Sequence, residues 1–366
     1  MGGMAGIRPR GIKIWSRRGD LSAANWYFRG LCGGGRGPSP MEIQAKGMVY
    51  IALDIGGTKV SGALIGAEGN VVFRGKRYLE GRGGVDAASL AADVVRELLS
   101  LASAGEGDPL SLGVSIPGVV WPGSGRVWAP NIPGWGDFPL GEFLGKAFAD
   151  YSLRVFMESD RTCHLLGEYW KGNARGCPDA VFIAVGTGIG VGMLCGGKII
   201  RGSGGIAGAA GWMALQQDFE EGFSRCGCFE YYGSGLGMAL QARERLRHMA
   251  PGQSALQAMP VEEVTAADLF RLLDQGDPVA TSVVGEAIRY WGRGAANLVS
   301  LLNPTKVIWG GGLFGPAARF LAEITAEASR WAQPLAFGTT TFVLSALGQD
   351  AALIGAGYLA MKEGAP

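Results

Sequence analysis

Charge and histidine are scarce in this sequence: 18% of its 366 residues are Asp, Glu, Lys or Arg, and His164 and His248 are the only imidazoles. A formal net charge of +1 gives the chain as a whole no electrostatic reason to bind nucleic acid or an anionic membrane. No apolar run reaches the roughly 18 residues of a membrane helix, and the first residues lack the hydrophobic stretch of a secretory leader. Six cysteines scattered over this length do not make a disulfide framework, so free thiols and a cytoplasmic protein are expected. Low-complexity tracts and a G-X-Y period are absent too, although there are 63 glycines. Many of those glycines sit at strand ends, where backbone must turn tightly or approach a ligand.

With 48% apolar residues the chain is globular, and its length exceeds what one hydrophobic core supports. Two lobes around a cleft are therefore expected. Residues 1–46 stand apart, with eight Lys or Arg against Asp20 and Glu42, which leaves the main body mildly acidic. That segment mixes basic residues with Gly, Ser and isolated aromatics and has no periodicity, so a disordered tail is expected over 1–47. It reads either as a targeting sequence or as an inert extension upstream of a true start at Met41 or Met48.

From Met48 the pattern changes. MVYIALDIGG, VSGALIG and NVVFRGKR predict three strands of an antiparallel meander. Leu90, Val94, Leu98 and Leu101 form one stripe of a helix over 86–104, and SLGVSIPG returns as a strand. A strand over 153–157 leads into a helix over 161–170, with Asp160 at its cap position. Strand 180–185, the turn GTGIG and strand 191–195 then repeat the opening strand, turn and strand, which implies two related halves. Helices are predicted over 229–249, over 266–274 after a Thr265 cap, and over 278–302 between an Asp277-Pro278 start and a Pro304 stop. Strand KVIW, a helix beyond Gly312, strand 341–344 and a terminal helix complete an α/β chain. The lobes are placed at 48–172, completed by the helix 348–366, and at 173–347.

Asp54-Ile55-Gly56-Gly57-Thr58-Lys59 lies on the first turn. Consecutive glycines let backbone N–H groups approach phosphate oxygens, Thr58 adds a hydroxyl, Lys59 adds charge, and Asp54 can hold Mg²⁺ through water. The competing reading is a plain Gly-Gly hairpin. Gly186, Thr187 and Gly188 offer the same chemistry from the second half, so the two turns could grip a triphosphate from opposite walls. Gly310, Gly311 and Gly312 follow a strand and offer either a side-chain-free bed for adenine and ribose or a helix-packing turn.

In order, ALDIGGTKVSGAL, GVSIPG, APNIPGW, ESDRTCHLLGEYWKG, VGTGIGVG, GCFEYYGSG, NPTKVIWGGG and ALGQDAALIGAG make residues 49–359 resemble the ROK family of sugar kinases. The resemblance implies a two-lobed ribonuclease H-like (actin-like ATPase) fold and Mg·ATP in a central cleft. It also implies transfer of the γ-phosphoryl group to a sugar hydroxyl, and a homodimer. It assigns the general base to Asp160, whose alternative role is a helix cap. Around the acceptor it places Gly118, Asn131, Ser159, Asp160, Ala209, Trp212 and Glu230.

Several of these positions depart from the family pattern. Ser159 replaces an Asn, Ala209 a sugar-binding Glu, and Trp212 a His; Asn131, Asp160 and Glu230 match. Each charge-assisted bond lost with the Glu and the His is worth about 1.5–3 kcal/mol, which points to a glycoside, amino or deoxy sugar, or cyclitol over free glucose. Trp212 either stacks on a ring or fills core space. The family's zinc motif survives only as Cys228, with Cys226 out of register, so no structural zinc is expected. His164 either touches the pocket or is satisfied within the fold. A ROK-type repressor would need a winged helix-turn-helix before Asp54, and no such pattern is present. A sugar-binding protein that has lost turnover is the other alternative.

Overall fold

The computed structural model describes residues 48–102 and 110–364; the tail expected over 1–47 lies outside the described residues. The first sheet holds β1 (Val49–Ile55), β2 (Lys59–Gly66), β3 (Val71–Tyr78) and β4 (Leu110–Ile116). A small hairpin of β5 (Val119–Val120) and β6 (Val127–Trp128) then leads to its last strand, β7 (Leu153–Ser159). The strand order is β3-β2-β1-β4-β7, antiparallel on the β3 side and parallel from β1 to β7. The second sheet is built from β8 (Ala180–Val185), β9 (Ile189–Cys195), β10 (Lys198–Ile199), β11 (Lys306–Gly310) and β12 (Thr341–Leu344). Its order, β10-β9-β8-β11-β12, and its strand directions repeat the first sheet. The repeated strand, turn and strand of the sequence thus belongs to one topology used twice.

Strands β1, β4, β8 and β11 lie inside their sheets and read as apolar runs rather than alternating ones, because both faces are covered. The helix Gly84–Leu101 covers the first sheet with Ala88, Ala91, Val94, Val95 and Leu98. It closes tightly on β2 because Gly62 has no side chain: a Cβ there would stand 2.5 Å from Val94 Cγ1.

Two helices exchange sheets. The helix Asp160–Lys171 follows β7, yet its Leu165 is buried with Ala180, Phe182 and Leu194 of the second sheet. The terminal helix Ala351–Gly364 returns to the first sheet, where Ala352, Leu353 and Ala356 pack with Ala52, Ala63 and Ile65. These two helices touch backbone to backbone through glycine. A Cβ at Gly355 would fall 1.8 Å from the Cys163 carbonyl oxygen, and one at Gly167 2.1 Å from that of Ala351.

Three local expectations are corrected. The helix predicted over 229–249 is two helices, Cys228–Gly233 and Gly235–Arg247, because the Gly-Ser-Gly at the junction is a poor helix former. Ser234 there accepts the Gly237 N–H at 3.0 Å and starts the second helix. Two 3₁₀ turns, Gly312–Phe314 and Pro316–Phe320, precede the helix Leu321–Ser329. The cap position before the Asp160 helix belongs to Ser159, and Asp160 is the first helical residue. Among the described residues, no helix is long and apolar enough to cross a membrane.

Candidate active site

Strand register sets the first carboxylate. Asp54 on β1 lies opposite Ser115 on β4, and Ser115 Oγ donates to Asp54 Oδ1 at 2.7 Å. Beyond it the turn closes with Gly56 N–H donating to the Lys59 carbonyl at 2.8 Å, leaving Gly57 and Thr58 exposed. Lys59 itself starts β2, paired with Tyr78. Gly57 faces Asn131, since a Cβ would stand 3.0 Å from the Asn131 carbonyl oxygen. The first turn and the Asn131 loop are therefore in contact.

The second turn closes over one residue fewer, with Gly186 N–H donating to the Gly188 carbonyl at 2.9 Å and Thr187 exposed. Gly235 N–H donates to the Gly186 carbonyl at 2.8 Å, so the helix Gly235–Arg247 begins against this turn. Glu230 sits under the turn, where its Oε2 accepts the Ile189 N–H at 2.7 Å. Its carboxylate occupies the room left by Gly188 and Gly211. Burial raises the Glu230 carboxyl above its ordinary value, and the Ile189 bond opposes that rise.

The three glycines after β11 differ in surroundings. A Cβ at Gly310 would meet Phe182 at 2.4 Å, and one at Gly311, whose φ is +91°, would meet the Val185 carbonyl oxygen at 2.4 Å. Only Gly312 is open, and a Cβ on Gly186 would lie 3.8 Å from its nitrogen.

Asp160 opens the helix after β7, and its Oδ1 accepts the Arg161 N–H at 2.7 Å. Burial pushes the Asp160 carboxyl above its ordinary value; His164 and Arg161 oppose the rise and Asp54 adds to it. The ends of β1 and β7 thus bring two carboxylates into one electrostatic site. His164 is satisfied within the fold: Nδ1 meets the Asp160 carbonyl oxygen at 2.7 Å, and the ring stacks on Phe182 at 5.1 Å. Ser159 is buried, and its hydroxyl donates to Thr162 Oγ1 at 2.9 Å.

Among the positions that the family resemblance assigns to the acceptor, Gly118 has φ +153° and lies so close to the Trp128 carbonyl that a Cβ would stand 2.1 Å from its oxygen. Ala209 is exposed and its carbonyl accepts the Trp212 N–H at 3.2 Å. Trp212 does not fill core space: it is 59% exposed and lines a cavity of about 250 Å³ with Phe219, Phe223 and Cys228. Among the described residues, no group of three or more His, Cys, Asp or Glu is placed to hold a metal ion.

Sequence reasoning missed Ser115, Glu158 and Arg161. Ser115 is visible only through strand register. Glu158 is buried and pairs with Arg201 at 2.5 Å, while Arg161 is buried with its guanidinium on backbone carbonyls. An arginine immediately after a strand-end acid was the one available signal.

The sequence model of the ROK family matches residues 50–363. The chain belongs to the ROK family. Among ROK relatives, a glucokinase from Halalkalibacterium halodurans is 32% identical over 321 residues, covering 86% of this chain and 95% of that protein. The crystal structure of a ROK family glucokinase from Streptomyces griseus in complex with glucose and AMPPNP superposes with a TM-score of 0.69 at 29% identity. The match covers 86% of this chain and 100% of that one. A xylose repressor from Caldicellulosiruptor bescii is 27% identical over 304 residues, covering 81% of this chain and 73% of that protein. The two α/β lobes described above are the ROK form of the actin-like ATPase fold.

Proposed function

We propose that this chain is an ATP-dependent kinase that transfers the γ-phosphoryl group to a hydroxyl of a sugar or sugar-like acceptor, with Asp160 as general base. The observation that carries the reading is the pair of carboxylates, Asp54 and Asp160, at the ends of β1 and β7, with the Asp160 carboxyl raised. A base whose pKa lies nearer working pH accepts a proton more readily while it stays ionised, and such a base contributes about 10²–10⁴-fold in rate.

The residues present fit a nucleotide. The Gly56-Gly57-Thr58 and Gly186-Thr187-Gly188 turns expose both threonines, and the backbone N–H groups of Gly57, Thr58, Thr187 and Gly188 suit phosphate oxygens, those of Gly56 and Gly186 being used to close the turns. Lys59 adds charge beside the first turn, while Gly312 and the backbone of Gly310 and Gly311 form a bed for the base and ribose. Asp54, held at one oxygen by Ser115, would hold Mg²⁺ through water and so supply neutralisation of phosphate charge. The protein supplies position and a fixed field, which carry most of the catalysis in phosphoryl transfer.

Gly118, Asn131, Ser159 and Glu230 surround the acceptor. The glucokinase relatives make glucose the reference acceptor. Against it, Ala209 offers no carboxylate, the Ser159 hydroxyl is engaged by Thr162, and no imidazole stands at 212. A glycoside, an amino or deoxy sugar, or a cyclitol is therefore the favoured acceptor. Purified protein with Mg·ATP should form ADP only when an acceptor is added. Silence across sugars, glycosides, amino sugars and cyclitols sinks the kinase reading. A specificity constant for glucose equal to the best of them sinks the acceptor reading alone.

A sugar-sensing protein without turnover is the second reading, favoured by the xylose repressor relative and the altered acceptor positions. It would bind sugar in the same screen and form no ADP.

A further inference from the structure

We infer that Arg161 is a positioning residue that fastens the acceptor loop of the second lobe, residues 200–212, to the first lobe, and so sets acceptor affinity separately from nucleotide affinity. The inference rests on the kinase reading above and deepens it.

Arg161 is 7% exposed, yet its guanidinium donates to backbone alone: Nη1 to the Gly118 carbonyl at 2.9 Å, Nε to that of Ala207 at 3.0 Å, and Nη2 to that of Gly205 at 3.0 Å. Gly118 lies between β4 and β5 in the first lobe; Gly205 and Ala207 lie after β10 in the second. One planar side chain therefore joins the two lobes. Its stem passes where two glycines make room, 3.3 Å from a Cβ built on Gly190 and 3.3 Å from one built on Gly208.

The loop is held from both sides of Asp160. Glu158, two residues earlier, pairs with Arg201 at the start of the same loop at 2.5 Å. Arg161, one residue later, takes its middle. The loop also rests on the small hairpin, since a Cβ at Gly205 would stand 2.7 Å from the Val120 carbonyl oxygen. Burial pulls the guanidinium pKa down, and the charges of Asp160 and Glu158 oppose that fall. Lysine cannot replace this fork, because an ammonium is a point donor and the three carbonyls diverge. Nothing in these contacts reaches Thr58 or Thr187, so nucleotide affinity is left aside.

The test uses the full chain with Arg161→Ala and Arg161→Lys, which keeps the charge and the stem should the alanine variant fail to fold. Either variant should raise the acceptor KM by about tenfold or more while the ATP KM stays within about twofold. Free guanidinium ion should lower the acceptor KM of Arg161→Ala. Hydrogen exchange reads the clamp without any turnover. The amides of Val191, Ala207 and Ala209, which donate to the carbonyls of Gly208, Arg201 and Ile206, should exchange about tenfold faster, with those of Val279 and Ala280 unchanged. Acceptor and ATP KM rising together, or unchanged loop exchange, overturns the inference. If the wild-type protein phosphorylates nothing, the kinase reading falls and hydrogen exchange alone judges the clamp.

Discussion

Replacing Asp160 by Asn separates the charge of this residue from its place in the fold. The amide has nearly the same volume and keeps an oxygen for the Arg161 N–H, which Asp160 Oδ1 now accepts at 2.7 Å. What is lost is the base, worth about 10²–10⁴-fold, or roughly 3–5 kcal/mol of activation free energy. Stability should move the other way. The Asp160 carboxyl is raised in the fold, chiefly by burial. Its stabilising contribution is therefore fully present below an unfolded pKa of about 3.9 and is lost as pH rises through the folded value. At neutral pH the buried ionised carboxylate is a cost, and Asp160→Asn removes it. The variant should thus melt at or above the parent temperature, still bind Mg·ATP by calorimetry, and turn over at least about a hundredfold more slowly in an ADP-coupled assay. The parent's kcat/KM should show an acidic limb above the ordinary Asp range, and the variant should show none. Retention of more than about a tenth of the parent turnover refutes the base assignment. Lost turnover accompanied by a lower melting temperature and lost nucleotide binding refutes it too, by making the residue structural.

Ser115→Ala removes a bond to the Asp54 carboxylate worth about 1.5–3 kcal/mol, so Mg·ATP affinity should fall while the acceptor KM holds; equal loss of both argues against the role of Asp54. Gly113→Ala would put a Cβ 1.8 Å from the Ala356 carbonyl oxygen. Lifting the terminal helix from β4 should cost about 3 kcal/mol in urea unfolding, and a loss under about 1 kcal/mol contradicts the packing. Asp277 caps the helix Pro278–Leu302 by accepting from Val279 and Ala280, and it also accepts from Ser254 and Ala255. Burial raises its carboxyl, but these bonds outweigh burial and hold it below the usual range, so its stabilisation is present above pH of about 3.9 and lost as pH falls through the folded value. Asp277→Ala should cost about 3 kcal/mol at neutral pH, and a variant that loses stability equally at all pH values removes the carboxylate from the explanation.

Much of the fold was legible because it is written in short-range preferences. The runs VYIALDI and AVFIAV, each ending in a Gly-Thr turn, announced two copies of one strand arrangement, and Asp277-Pro278 announced a helix start that the fold shares. The break at Ser234 escaped because a helix-favouring stretch on either side outweighed one Gly-Ser-Gly. In the candidate site, Asp54, the two turns and Asp160 are proposed from motifs that each lie within a few residues of sequence.

Sequence alone determined the class of the fold, the duplication and the chemical groups available, since these depend on periodicity, turn residues and composition. Tertiary structure alone decided which groups meet. Ser115 reaches Asp54 across 61 positions, Arg161 reaches Gly118 and Gly205 in different lobes, and Trp212 lies exposed in a cavity it shares with Phe219 and Phe223. Such pairings follow from how two sheets exchange their helices, a global arrangement that no local preference encodes. Burial, which raises the Asp160 carboxyl, likewise belongs to the packed molecule and not to any segment of it.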